Sequence, residues 1–284
     1  MIVITGATGA LNGATVDHLL ERIPAADIAV AVRDVTKAER FAARGVAVRR
    51  ADYAEPASLP AAFDGADQLL LVSSNDPRAD IVSLHHSAID AAVTAGVGRI
   101  LYTSHQGAGL DSPFVPARSH ARTEHLLAES GVPWTSLRNG YYAHSLNRLL
   151  GSWRETATIE VPTDGPVSWT AREDAAEAAA VILASNGAYD GPTTLTATSA
   201  PTFEDIATIA SELIGRTVER VILGEEEWIA KQVAGGLQEF VARFSLGLYQ
   251  AAHKGRFAGV DPLLGELLGR EPRTVRDLLT QPSA

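Results

Sequence analysis

Six short apolar runs, each followed by a stretch with helical spacing, constrain this chain more than any other feature of it. The runs are Ile2 to Ile4, Ile28 to Val32, Val46 to Arg49, Gln68 to Val72, Arg99 to Tyr102 and Trp134 to Leu137. Between them, apolar residues recur three and four apart, as in Val16, Leu19, Leu20 and Ile23, or Ile81, Leu84, Ala88, Ile89 and Val93. Strands joined by helices describe a parallel sheet, because each crossover helix returns the chain to the end of the sheet from which the last strand began. LLLV and RILY are almost unbroken in apolar character, as strands covered on both faces are. The expected fold is α/β, a doubly wound parallel sheet of the Rossmann type with a smaller, mainly helical C-terminal lobe.

After about residue 140 the rhythm changes. Helices are expected near 172–185, 202–214, 225–253 and 261–279, with short strands at Thr158 to Val161, Thr193 to Thr196 and Val218 to Ile222. The strand at 193–196 is expected to rejoin the main sheet. This gives a dinucleotide domain over 1–155, completed by about 170–198. Residues 199–284, with about 140–168, form a smaller lobe over the carboxyl ends of the strands, where such sheets bind ligands.

The glycine-rich stretch TGATGALNG follows the first run directly and opens a helical pattern, which turns a weak motif into an informative one. Gly6 allows a tight turn. The residues after it, Ala7, Thr8, Gly9, Ala10 and Leu11, would present backbone N–H groups and a helix N-terminus to a pyrophosphate. The third glycine of such a motif normally lets the helix pack close to the sheet, and here Asn12 stands in its place. Gly13 is rotated about 100° around the helix and cannot substitute. Either the helix shifts outward or the Asn12 side chain hydrogen-bonds locally.

The second run ends AVRDVTK. An acidic residue at this point usually bonds the ribose 2′-OH of NAD, whereas an arginine receives the 2′-phosphate of NADP. Arg33 comes first and Lys37 one turn later, so NADP is favoured, with Asp34 adjacent as the competing feature. Asp52 ends the third strand, facing an adenine edge. Ser73, Ser74 and Asn75 end the fourth, beside the dinucleotide. Each also reads as ordinary loop polarity.

Composition removes several alternatives. With no cysteine among 284 residues, disulfides, thiolate catalysis and cysteine-ligated metals are absent, which fits a reducing compartment, the cytoplasm by default. The formal net charge of −10 leaves no basic surplus for nucleic acid. No apolar stretch approaches the roughly 18 residues a membrane span needs. His85 and His86 point to different helix faces, with no further residue at metal-ligand spacing, so no metal is expected. The run Glu225 to Glu227 reads as a helix start favoured by the macrodipole.

MIVITGATGALNG, AVRD, ADY, LLLVSS, ILYTS and SGVPWTSLRNGYY together resemble the NmrA-like group of atypical short-chain dehydrogenase/reductases, and within it the bacterial quinone oxidoreductases and triphenylmethane reductase. The resemblance covers nearly the whole chain, and it implies a core holding NADP(H) and a helical lobe closing over a small planar acceptor. A homodimer is compatible with it. By position, it carries Gly6 to Leu11 to the pyrophosphate, Arg33 to the 2′-phosphate and Ser73 to Asn75 to the ribose. Asn139, Gly140, Tyr141 and Tyr142 would border the nicotinamide, with Trp169 to Arg172 contributing beside them.

Ordinary members of the superfamily pair a serine with Tyr-x-x-x-Lys, whose tyrosine is the general acid and whose lysine lowers that tyrosine's pKa. Ser104 occupies the serine position. Counting back from SGVPWTSLR, Glu124 falls on the glutamate after the motif, His120 on the lysine and Pro116 on the tyrosine. Proline has no side-chain proton to give, so His120, Tyr141, Tyr142 or water must serve. Hydride transfer to an acceptor that delocalises the resulting anion, such as a quinone, tolerates that loss. The alternatives are an NADP-binding redox sensor without turnover, or a carbonyl reductase or isomerase acting on an aromatic metabolite. His120 also reads as a packed helix histidine, and Tyr141 and Tyr142 as core.

Overall fold

The computed structural model describes residues 1–74 and 79–280. Within that range the chain divides into two compact units, one built from Met1–His105, Ser119–Arg138 and Arg172–Thr194, the other from Gln106–Arg118, Asn139–Ala171 and Leu195–Ala284.

The first unit is organised by a seven-stranded sheet. Its strands are β1 (Ile2–Thr5), β2 (Ile28–Val32), β3 (Ala47–Arg50), β4 (Gln68–Leu71), β5 (Arg99–His105), β6 (Trp134–Asn139) and β10 (Gly191–Leu195), in the order β10-β6-β5-β4-β1-β2-β3. The six expected strands are all present, and the run near 193–196 does rejoin the sheet. The β1–β2, β1–β4, β2–β3 and β4–β5 pairs are parallel. Every residue of β1, β2 and β4 is buried, as strands covered on both faces must be, whereas edge strand β3 is not buried at all.

The helices of this unit are α1 (Ala10–Leu19), α2 (Glu39–Ala42), α3 (Leu59–Phe63), α4 (Ile81–Thr94), α5 (Val115–Glu129), whose first residues belong to the other unit, and α8 (Arg172–Ala184). Val3, Ala29, Ala31, Leu69 and Leu71 share one core with Leu59 and Phe63 of α3, Ala88 and Ile89 of α4 and Leu127 of α5. By the two-residue period of a strand, Ile2, Ile4, Ile28, Val30 and Leu70 face the opposite layer. There α8 presents buried alanines at 175, 176, 178, 179 and 180, small enough for α1 to approach closely. The first strand also carries a polar extension of its ladder: the Thr5 hydroxyl donates to the Leu70 carbonyl at 3.0 Å and accepts the Val72 N–H at 2.8 Å.

The second unit contains β7 (Tyr141–Tyr142) paired with β9 (Trp169–Thr170), and β8 (Thr158–Val161) paired in parallel with β11 (Glu219–Ile222). Its helices are α6 (Leu146–Leu149), α7 (Trp153–Thr156), α9 (Phe203–Ile214), α10 (Glu225–Ala234), α11 (Glu239–His253), α12 (Leu263–Leu268) and α13 (Val275–Thr280). Two long helices expected from the sequence are each broken in two. The stretch 225–253 is interrupted where Gly236 takes φ of 96°, and 261–279 where Gly269 takes a left-handed φ of 63° and Pro272 follows. A chain of aromatic contacts forms the centre: Tyr141–Trp169 at 5.4 Å, Trp169–Phe203 at 5.7 Å, Phe203–Tyr249 at 5.5 Å and Tyr249–Trp228 at 5.3 Å between ring centroids. No helix among the described residues is long and apolar enough to cross a membrane.

Candidate functional site

The glycine-rich stretch is the connection from β1 to α1. Gly6 adopts φ of 64°, and a Cβ there would lie 2.6 Å from the Val72 side chain, so both the backbone angle and the close approach demand glycine. Gly9 is the N-cap of α1 and provides no side-chain cap, and the first turn holds no acidic residue. The leading N–H groups of this helix, at Ala10 and Leu11, therefore lack intrahelical acceptors and carry the positive end of the dipole. Thr8, Gly9 and Ala10 are exposed. The turn thus presents exposed backbone and free N–H groups at a helix N-terminus.

Asn12 resolves the irregular spacing. It is 1% exposed, and its amide donates to the Thr5 carbonyl at 2.8 Å, so the side chain fills the space a glycine would have left and fastens α1 to the end of β1. Gly13 is nevertheless required for a different contact: a Cβ there would lie 2.8 Å from the Ala7 carbonyl oxygen and 2.9 Å from Arg40 Nη2.

At the end of β2, Arg33 is exposed and has no hydrogen-bond or ion-pair partner among the described residues. Its neighbour Asp34 is engaged. One oxygen accepts the Thr36 N–H at 3.1 Å and hydroxyl at 2.6 Å, and the other lies 3.8 Å from the Lys37 ammonium. The Thr36 bonds, with Lys37 beside them, hold the Asp34 carboxyl below its ordinary range. The guanidinium is thus the open group at this strand end and the carboxylate is not. Asp52, after β3, turns its own loop by accepting the Ala54 N–H at 3.0 Å.

After β4 the chain is held by side chains instead of by a ladder. The Ser73 N–H donates to Thr103 Oγ1 at 2.8 Å and the Ser74 N–H to His85 Nε2 at 2.9 Å. Asn75 lies outside the described residues. His85 is fully buried in α4, and its Nδ1 lies 2.8 Å from Thr123 Oγ1 on α5. Burial lowers its pKa to about 4. His86 points to the other helix face and is exposed near Asp90.

Two polar hubs join β5 to α5. In one, Glu124, 5% exposed, accepts the Ser104 hydroxyl at 2.7 Å, the Ser136 hydroxyl at 2.6 Å and Arg138 through both carboxylate oxygens. Burial pushes this carboxyl up, but the bonds from Arg138, Ser136 and Ser104 outweigh it and hold it low. The Ser104 proton is therefore directed at Glu124. In the other hub, His120 Nδ1 is hydrogen-bonded to the Tyr102 hydroxyl at 2.8 Å, and its ring stacks on His105 at 6.1 Å. Burial, then the neighbouring His105 and His85, lower the His120 pKa well below the ordinary imidazole value. At neutral pH His120 is an uncharged hydrogen-bonding group. Pro116, which falls on the tyrosine position by count, lies in the first turn of α5.

In the second unit, Gly140 is dictated by packing, since a Cβ there would overlap Thr170 Oγ1 and lie 2.7 Å from the Ser168 carbonyl oxygen. Asn139 donates to the Tyr142 hydroxyl at 3.0 Å. Tyr141 packs edge-on against Trp169 and tilted against Phe114 and Phe257, and burial pushes its hydroxyl up to about 12. Sequence reasoning missed His85, Tyr102 and Thr123. The tandem pair His85 and His86 was the one signal the sequence offered there.

A parallel sheet of this order, whose first strand passes through an obligatory glycine into an uncapped helix, defines a Rossmann-type protein. The NmrA-like family model matches residues 1–253, and the chain belongs to that family. It is 34% identical to quinone oxidoreductase 2 of Escherichia coli over 98% of this chain and 96% of the relative. It is 31% identical to the NAD(P)H azoreductase of Xenophilus azovorans over 96% and 95%. Among solved structures, it superimposes on an E. coli NADPH-dependent quinone oxidoreductase complexed with NADPH with a TM-score of 0.92 at 33% identity, covering 99% of both chains. Triphenylmethane reductase of Citrobacter sp. complexed with NADP(H) gives a TM-score of 0.88 at 32% identity, covering 99% of this chain and all of the other.

Proposed function

We propose that the protein is an NADPH-dependent oxidoreductase of the cytoplasm that reduces a quinone or another small, conjugated planar acceptor. The observation that carries the reading is the open, unpaired Arg33 beside a glycine turn that can receive a pyrophosphate. The full-length likeness to an NADPH-bound quinone reductase supports it. Bound NADPH supplies the hydride. The chain's own residues divide the remaining work. Gly6 to Leu11 hold the pyrophosphate by backbone N–H groups, Arg33 with Lys37 takes the 2′-phosphate, and Ser73 and Ser74 line the ribose. His120, uncharged and anchored through Nδ1 to Tyr102, offers Nε2 to the acceptor oxygen, where negative charge grows as hydride arrives.

An acceptor that delocalises charge needs no strong acid, which is consistent with proline at position 116 and with the low basicity of His120. The test is NADPH oxidation followed at the nicotinamide absorbance band with a panel of small quinones and azo dyes. Tight NADPH binding without turnover of any acceptor would reject the reductase and favour a redox sensor, the reading suggested by the missing tyrosine and lysine. Light scattering of the same preparation decides between monomer and homodimer.

A further inference from the structure

We propose that His85 is a positioning residue for the dinucleotide: a tautomer-fixed imidazole that ties the Ser74 backbone to α5 and so holds Ser74, just beyond the end of β4, in place for the ribose. The proposal rests on the NADPH reading above.

The proton order in this part of the structure has only one solution. Ser74 N–H can only donate, so His85 Nε2, 2.9 Å away, must be the acceptor and carry no proton. A neutral imidazole then has its proton on Nδ1, which donates to Thr123 Oγ1 at 2.8 Å. The Thr123 hydroxyl passes its own proton to the Ser119 carbonyl at 2.9 Å, one residue from His120. Three bonds in series run from a strand-end loop through α4 to α5, each donor and acceptor used in one direction. The ring packs edge-on against Tyr102 at 5.4 Å and Tyr53 at 6.4 Å, and a flip about Cβ–Cγ would put carbon where each nitrogen now bonds.

What this achieves is visible at Ser73 and Ser74. The β4 strand ends at Leu71; the Val72 amide is then held by the Thr5 hydroxyl, and those of Ser73 and Ser74 by Thr103 and His85. With both N–H groups turned inward, the Ser74 hydroxyl has no partner among the described residues and is available to a ribose hydroxyl.

The two amide side chains that imitate histidine separate these roles. In His85→Gln the terminal amide reaches the position of Nε2 and can accept from Ser74. In His85→Asn it reaches that of Nδ1, keeping Thr123 and leaving the Ser74 amide bare. NADPH affinity, kinetics and thermal unfolding are measured for both. His85→Asn should raise the NADPH Kd and KM roughly tenfold with kcat little changed, the effect of one buried donor left unmet, while His85→Gln stays within about threefold of wild type. Equal Kd values for the two variants, whatever their melting temperatures, would overturn the positioning role and leave the NADPH reading standing. Failure of the wild type to bind NADPH would overturn both. Should neither variant fold, imidazole nitrogen NMR of the wild-type protein decides. NADPH should move the Nε2 resonance of an Nδ1–H tautomer at His85, and an unmoved resonance or the opposite tautomer overturns the proposal.

Discussion

Replacing Arg33 by alanine isolates the 2′-phosphate from every other part of a dinucleotide. The guanidinium is exposed and bonds to nothing among the described residues, so its removal leaves no orphaned partner and folding stability should change by no more than about 0.5 kcal/mol. A hydrogen bond to a charged group contributes about 1.5–3 kcal/mol, which corresponds to roughly 10–150-fold in NADPH affinity. NADH should be nearly unaffected, because it lacks the phosphate. It should gain nothing either, since Asp34 is already occupied by Thr36 on one oxygen and faces Lys37 on the other. Lys37→Ala should lose only about twofold, since its ammonium is 72% exposed and shared with Asp34. Titration of nicotinamide fluorescence with both dinucleotides, beside thermal unfolding, reads all of these quantities. Equal losses for NADPH and NADH, or an unchanged NADPH affinity, would refute the assignment of Arg33.

Glu124→Ala should destabilise the fold by about 3–5 kcal/mol in urea denaturation, because it strands a half-buried Arg138 and two buried serine hydroxyls; a loss below about 1 kcal/mol would show that the hub is solvated. Stability should also fall on acidification. Burial lowers His85 and His105 from 6.5 to about 4, so between those values the unfolded chain binds protons that the native state excludes. The stability these groups contribute is complete above pH 6.5 and declines as pH drops toward 4, by an amount on the order of 3 kcal/mol per imidazole. Urea midpoints that do not move between pH 7 and pH 5 would contradict this. Gly140→Ala should cost about 3 kcal/mol or prevent folding, because the new methyl group meets Thr170 and the Ser168 backbone; a melting temperature within a degree of wild type would show that the strands can part there.

The central strands were legible because each is a short, nearly unbroken apolar run with turn residues beside it in sequence, as strands buried on both faces must be. The breaks in 225–253 and 261–279 were passed over although Gly235–Gly236 and Gly269 with Pro272 stand at them, because a glycine within a helical pattern does not by itself end it, and the positive φ angles of Gly236 and Gly269 are set by the fold. The tight turn after β1 was legible in the same local way. Gly6 is demanded by its own φ, and Arg33 stands where β2 ends. Asn12 could be narrowed to two outcomes, and the local hydrogen bond is the one realised.

The polar hubs follow a different logic. Glu124 gathers partners 12, 14 and 20 residues away, and His85 reaches 11 residues back to Ser74 and 38 forward to Thr123. No periodicity marks such residues, because each is chosen to satisfy a particular buried donor or acceptor that the fold creates. Counting along the family pattern brought Ser104, His120 and Glu124 into one neighbourhood, but it could not say which groups their protons meet. Ser104 donates to Glu124 and His120 bonds to Tyr102, so the serine is engaged within the fold while the imidazole keeps a second nitrogen to offer. In this chain, then, the proposed role at the acceptor falls to the residue at the lysine position, because the serine is already bonded to Glu124.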